Sequence, residues 1–496
     1  MNIKEAKQEI KNTVQAYLCQ DERGNYLIPN LRQRPVLLMG PPGIGKTQIM
    51  EQIARECRVG LVAYTITHHT RQSAVGLPFI RKAEYGDREY SVTEYTMSEI
   101  IASVYEKMKE TGLKEGILFI DEINCVSETL APTMLQFLQC KTFGNQKIPD
   151  GWIIVAAGNP PEYNKSVRDF DMVTLDRVRR IDIEADYGVW KEYARERKIH
   201  GALLSYLELH PKNFYRIETD VDGLQFVTAR GWEDFSSLMQ VYDSMGLTVS
   251  EEIVYEFLRH RDVAEEVAAY IDLYRKYQDD YGIPQILQGK VKTEIYTRLY
   301  HAAFDERISV VNLLLDGVLL EMKKVQQEKN MMDDWYGFLK EYRHRLDDLS
   351  QTPEEIYEGL LTEKEEEIAA AGKAGFYGKE EALFRERLLG HWKKAAPQAG
   401  LPPEKAFGQA KTEFDQQCAK LEQKEAEAKS ALEYAFDFME HAFETGQEMI
   451  VFVTELTVSA EAASFLAEHT CDRYLQYNQE LLIGTRKREL LSEINC

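Results

Sequence analysis

Five short apolar runs punctuate the first part of the chain: Val36–Met39, Leu61–Ile66, Ile117–Ile120, Ile153–Ala157 and Ile181–Ile183. Polar and helically periodic segments separate them. After the first run, Ile49, Met50, Ile53, Ala54 and Cys57 recur at helical spacing. Unbroken apolar runs joined by helices predict a parallel sheet with crossover connections, hence an α/β core. Residues 4–20 predict an amphipathic helix ahead of this core, followed by a polar turn at 21–25. After Tyr187 the strand signals fade, and 188–210 and 228–245 predict helices separated by a polar, glycine-containing stretch. From Ser250 onward the pattern is helical and charged. Breaks fall near Gly282-Ile283-Pro284, Ser350–Pro353, Ala370–Gly378 and Ala395–Pro403, and 404–443 has the composition of one long helix. The expected organisation is 1–187 α/β core, 188–249 all-α lid, 250–350 helical extension and 351–496 acidic helical region, the last suited to partner binding.

Charge sharpens this division. The net charge is −22, of which residues 1–250 carry −4 and 251–496 carry −18. An acidic half repels phosphate backbones, so binding to nucleic acid is not expected. Seven scattered cysteines without a C-x-x-C pair predict reduced thiols in a cytoplasmic protein. The N-terminus places charges where a signal peptide needs an apolar core. No apolar run approaches the ~18 residues of a membrane span, so no membrane insertion is expected.

The chemistry concentrates at strand ends. Gly40-Pro41-Pro42-Gly43-Ile44-Gly45-Lys46-Thr47 fits the phosphate-loop pattern between a predicted strand and a predicted helix. Backbone N–H groups and the helix dipole would face phosphates, Lys46 would reach them, and the Thr47 hydroxyl would ligate Mg²⁺. Gln48 follows in the first helical turn and belongs to the same nucleotide-binding set. Ile117–Ile120 delivers Asp121 and Glu122 to the ligand-binding edge of such a sheet: Asp121 for the Mg²⁺ shell, Glu122 to orient water. Asn159 caps the fourth run, where an amide can touch phosphate and water. Arg177, Arg179 and Arg180 offer guanidinium groups, and Arg230 opens a helix in the sequence Thr228-Ala229-Arg230-Gly231-Trp232. His68-His69, read as adjacent strand residues facing opposite ways, is not expected to form a metal pair. Tyr270, Tyr274, Tyr277 and Tyr281 are expected to pack, while 447–480 is left open between a buried helix and a docking face.

Together these motifs resemble AAA+ ATPases, and within them the MoxR type. The resemblance spans roughly residues 1–250. It implies a P-loop NTPase core with a helical lid, ATP and Mg²⁺ as ligands, and ATP hydrolysis. Asn159 matches the sensor-1 position and Arg230 the sensor-2 position. Arg177 best matches an arginine finger acting on the neighbouring subunit, with Arg179 and Arg180 left open. A trans finger implies a homo-oligomer, a hexameric ring in this family. The segment from Gly76 to Met97 sits where this clade inserts structure, and 139–152, with Phe143-Gly144, where a hairpin often precedes sensor 1. Val178 stands where many relatives carry Phe. The implied function is a chaperone-like remodelling or maturation factor acting on a protein client with a von Willebrand A-domain partner. Two other readings are a nucleotide-dependent nucleic-acid-processing enzyme and an ATP-binding scaffold with little turnover. Glu122 and Arg177 speak against the scaffold.

Overall fold

The computed structural model describes residues 1–68, 70–85, 88–143, 146–163, 170–220, 223–347 and 351–481. His69 and Gly144, singled out above, lie outside them, as does the side chain of His68. The chain divides into two compact units. One comprises 1–189, 228–230 and 366–383; the other comprises 190–227, 231–365 and 384–496.

The first unit contains the strands β1 (Val36–Met39), β2 (Gly60–Thr65), β3 (Pro78–Tyr85), β4 (Arg88–Tyr95), β5 (Gly116–Asp121), β6 (Thr142–Phe143), β7 (Gln146–Lys147), β8 (Trp152–Gly158) and β9 (Arg179–Asp182), and the second unit β10 (Arg216–Asp220) and β11 (Gly223–Val227). Five strands form a parallel sheet in the order β2-β5-β8-β1-β9. All five coincide with the apolar runs read from the sequence. Central β1 and β8 are buried at every position, because helices cover both faces. Edge strand β9 buries Ile181 and exposes Arg180 and Asp182, the alternation expected of an edge. Helices α1 (Ile3–Leu18), α2 (Lys46–Cys57), α3 (Arg71–Val75), α4 (Glu99–Thr111) and α5 (Ala131–Cys140) accompany the sheet. A reciprocal Asn2–Glu5 capping box starts α1, which buries Ala6, Ile10 and Val14.

One packing detail sets the sheet's lower end. Trp152, wholly buried, lies across Gly116, where an added Cβ would stand 2.6 Å from the indole ring. The indole therefore requires glycine opposite it.

The hydrophobic pattern is least informative for exposed strands. Between Gly76 and Met97, where only an insertion was anticipated, β3 and β4 form an antiparallel hairpin with most residues of both strands exposed. Such a ribbon leaves little period-two signal. The same holds for the β10–β11 hairpin in the polar stretch between the helices Gly201–Leu209 and Ala229–Met245. The segment Ile66–His68 is a 3-10 turn, so the strand-alternation argument about the histidines does not apply there. The antiparallel pair β6–β7 lies within 139–152.

The second unit is otherwise helical. Two helices dominate it, Phe304–Arg345 of 42 residues and Pro403–Phe443 of 41, each about 60 Å long. Gly282, at φ 59°, ends Arg261–Tyr281, whose four tyrosines are all buried. Phe338 stacks on Trp392 at 4.4 Å, and the Tyr357 hydroxyl donates to the Trp392 carbonyl at 2.7 Å. Gln447–Val458 buries Met449, Phe452, Val453 and Leu456, so this segment is a core helix. Among the described residues no single helix is long and apolar enough to cross a membrane; only the pair Gln447–Val458 and Ala460–Glu468, bent by 84°, reaches that length and composition together.

Candidate nucleotide site

The site sits at the C-terminal edge of the sheet, where β1, β5 and β8 end side by side. β1 runs into the glycine loop, and Gly43 (φ 74°) and Gly45 (φ 92°) hold left-handed backbone that a β-carbon would strain. Gly45 also caps α2, so the loop ends where the N–H groups of the first helical turn have no intrahelical acceptor. The peptide N–H of Arg230 donates to the Gly43 carbonyl at 3.1 Å, which sets Thr228–Arg230 against the back of the loop.

Lys46 folds back under this loop. Its Nζ donates to the carbonyls of Gly40 (2.8 Å) and Pro41 (2.9 Å) and to Asn159 Oδ1 (2.9 Å). The residue is 8% exposed. Burial pulls the ammonium down to about pKa 8; Asp121 and Glu122 counter this and Arg230 reinforces it. A cation this enclosed, held by neutral oxygens, suits an anionic ligand. Thr47 Oγ1 donates to Asp121 Oδ2 at 2.9 Å. Two hard oxygen donors at the loop mouth fit Mg²⁺, which keeps several waters and takes few protein ligands. Gln48, in the first turn of α2, brings its Oε1 against Gly45, 3.1 Å from where a Cβ there would stand.

Glu122 follows Asp121 at φ 56°, an uncommon conformation for a residue with a side chain. Its N–H donates to Asp121 Oδ1 at 2.9 Å, and its Oε2 accepts from Thr67 Oγ1 at 2.9 Å. Thr67, just beyond β2, was not picked out from the sequence. Nor was Asn124, whose Nδ2 donates to the Asn159 carbonyl (2.8 Å) and whose Oδ1 accepts from the Asn159 N–H (3.3 Å). A polar side chain three positions after a strand-end Asp carries no distinctive pattern; only the fold shows that it clasps Asn159.

The arginines separate. Arg179 bonds Thr13 Oγ1 at 2.7 Å and pairs with Glu9 on α1. Arg180 bonds Asp182 at 2.8 Å. Arg177 is exposed and donates to the Gln139 side chain. The structure thus brings together Lys46, Thr47, Asp121, Glu122, Asn159 and the Arg230 backbone, and sets the Arg177 side chain on the surface.

A phosphate loop opening a helix, with paired carboxylates on the adjacent strand tip of a parallel sheet, defines a P-loop nucleotide-binding core. Residues 36–176 match the family model described as "ATPase family associated with various cellular activities (AAA)", and this segment is an AAA ATPase domain. Among curated proteins nothing matches. Two solved structures are similar. One, a Cytophaga hutchinsonii protein described as a suspected ATPase, shares 13% identity over 37% of this chain and 46% of that one, at a TM-score of 0.23. The other, a lysine-to-arginine variant of Thermotoga maritima RuvB, shares 14% identity over 58% of this chain and 76% of that one, at 0.29. The match spans less than half of the Cytophaga chain.

Proposed function

We propose that the chain is a Mg²⁺-dependent ATPase of the MoxR type, working as a ring of copies to remodel or mature a protein client together with a von Willebrand A-domain partner. The observation that carries the ATPase reading is the convergence of Lys46, Thr47–Asp121, Glu122 and Asn159 at one sheet edge. Lys46 and the 43–47 amides would hold the phosphates of ATP, and Thr47 and Asp121 the metal. Bound Mg²⁺ would neutralise charge on the β- and γ-phosphates. Glu122, kept in one orientation by Thr67, would accept a hydrogen bond from the attacking water and take up its proton. Asn159, clasped by Asn124, would fix that water's position relative to Lys46.

Arg177 supports the ring. All three arginines have partners within the chain, Arg179 on α1, Arg180 at Asp182 and Arg177 at Gln139; Arg177 is exposed and is the one the sequence resemblance matches to the finger. An arginine finger in trans is worth roughly 10³–10⁵ in rate. The test is complementation: Arg177→Ala and Lys46→Ala are each inactive, and mixing them restores hydrolysis. Lack of rescue in oligomers shown to contain both variants removes the trans assignment. Glu122→Gln should bind ATP and turn it over very slowly; wild-type turnover would remove its role. The partner reading rests on the sequence resemblance. ATP-loaded Glu122→Gln rings should retain a von Willebrand A-type protein from the source cells, and their failure to do so would remove that part alone.

A further inference from the structure

The second unit contains a cavity of about 1500 Å³ that the nucleotide chemistry does not use. Its walls are the helices Arg261–Tyr281, Phe304–Arg345 and Pro403–Phe443, and the start of Gly201–Leu209 closes one end. Small-molecule pockets run roughly 300–1,000 Å³. This one is larger and open, a size that suits a chain segment better than a metabolite.

Its lining is one-sided in charge. Five carboxylates face two fixed cations. One of those cations, Arg275, is already tied to Asp243 at 2.6 Å. His200 accepts the Ala202 N–H at Nδ1, so its Nε2 carries the proton that it donates to Asp243 at 2.8 Å. The imidazole is therefore neutral and adds no positive charge; burial holds its pKa low, against the pull of Asp243. Asp316 lines the cavity with its side chain exposed, and no cation among the described residues lies within ion-pair distance of it. Its contact is a long one, 3.4 Å from the Tyr274 hydroxyl. Gly201 leaves room for both; any side chain there would collide with Asp316 and Tyr274. Leu287, Leu313 and Leu320 supply apolar wall beside the carboxylates.

We propose that this cavity is a docking site for a basic, extended segment of a partner protein, with aliphatic stems of lysine or arginine on the leucine wall and one cationic head on Asp316. An aliphatic stem with a charged tip matches an apolar wall that ends in an unpaired carboxylate. The proposal stands apart from the ATPase reading, since none of its residues belongs to the nucleotide site.

The test uses the full-length protein and a fluorescein-labelled seven-residue alanine–lysine–leucine repeat peptide, read by fluorescence anisotropy. Saturable binding is expected, weakened roughly tenfold or more in Asp316→Asn. Leu320→Arg, at a wall residue that is 52% exposed and so not needed for folding, should weaken it similarly by placing like charge in the path. A glutamate-for-lysine peptide should not bind. Acidification adds a second readout. Desolvation by the cavity walls raises Asp316 to about 6, opposed by Arg195 and the Tyr274 hydroxyl and reinforced by Glu208 and Glu455. Binding should therefore fall as pH drops through 6 in the wild type and fall less in Asp316→Asn. No saturable binding, equal affinity in both variants, or an equal loss in the remote surface variant Glu404→Gln would overturn the proposal.

Discussion

Lys46 makes nucleotide affinity depend on pH in a direction that can be worked out. In the ligand-free protein its ammonium titrates near 8, against 10.5 for an unperturbed lysine. At 1.36 kcal/mol per unit, the charged form is disfavoured by about 3 kcal/mol before any phosphate arrives. A lowered lysine destabilises the fold below its folded pKa, and that penalty disappears as pH rises from 8 toward 10.5. Phosphates reverse the preference, because they stabilise the ammonium. Binding above pH 8 therefore takes up a proton, and affinity falls by up to tenfold per pH unit. Between pH 7.5 and 9.5 the protonated fraction drops enough to weaken binding roughly 20-fold. The assay is titration with a fluorescent ATP analogue and Mg²⁺ in the Glu122→Gln background, where turnover does not interfere. The nucleotide phosphates are already fully ionised over this range. Lys46→Arg provides the control, since a guanidinium stays charged throughout. It should bind with a flat profile, whatever its absolute affinity. Wild-type affinity constant within threefold to pH 9.5, or a parallel fall in Lys46→Arg, would refute the reasoning.

Other outcomes follow from particular contacts. Thr67→Val should lower kcat severalfold with KM for ATP little changed, because it releases Glu122 Oε2 without touching the loop; an unchanged kcat would show that this hydrogen bond does not matter for turnover. Asn124→Ala should likewise reduce kcat by unclasping Asn159, with ATP affinity within about threefold of wild type by the same titration. Arg179→Ala should lower the melting temperature by loosening α1 while leaving ATP turnover intact, the reverse of Arg177→Ala. Gly116→Ala drives a methyl to 2.6 Å from the buried indole and should destabilise the core by about 1–3 kcal/mol, seen as a melting temperature lower by several degrees. Gly60→Ala, at 3.1 Å from the same ring, should cost less.

The core strands were legible in the sequence because parallel strands buried on both faces must be apolar throughout, and four to seven such residues leave a clear trace. The glycine loop and the strand-end carboxylates were legible because phosphate binding restricts residue type at fixed spacing. The β3–β4 and β10–β11 hairpins were not, since strands exposed to solvent are free in composition. Thr67 and Asn124 escaped for a related reason: a hydroxyl or amide that orients another side chain can come from any loop that the fold carries past it. The ambiguity among Arg177, Arg179 and Arg180 was likewise inherent, as three arginines within four positions share one composition.

What the sequence alone determined is local chemistry: an α/β core, a phosphate loop flanked by strand and helix, a carboxylate pair on a strand tip, and a helical, acidic second half. Each follows from short-range rules, hydrophobic period, backbone freedom at glycine, and charge. Only the tertiary structure decided which of those groups meet. Sheet order places β5 and β8 beside each other and β1 next to β8, which brings Lys46 within 2.9 Å of Asn159, a residue 113 positions away. Packing tied Arg179 to α1 and put Arg177 on the surface, and it left Asp316 facing, without an ion-pair partner among the described residues, a cavity walled by helices remote in sequence. These are long-range outcomes, set by which surfaces exclude water together, and no single stretch of the chain encodes them.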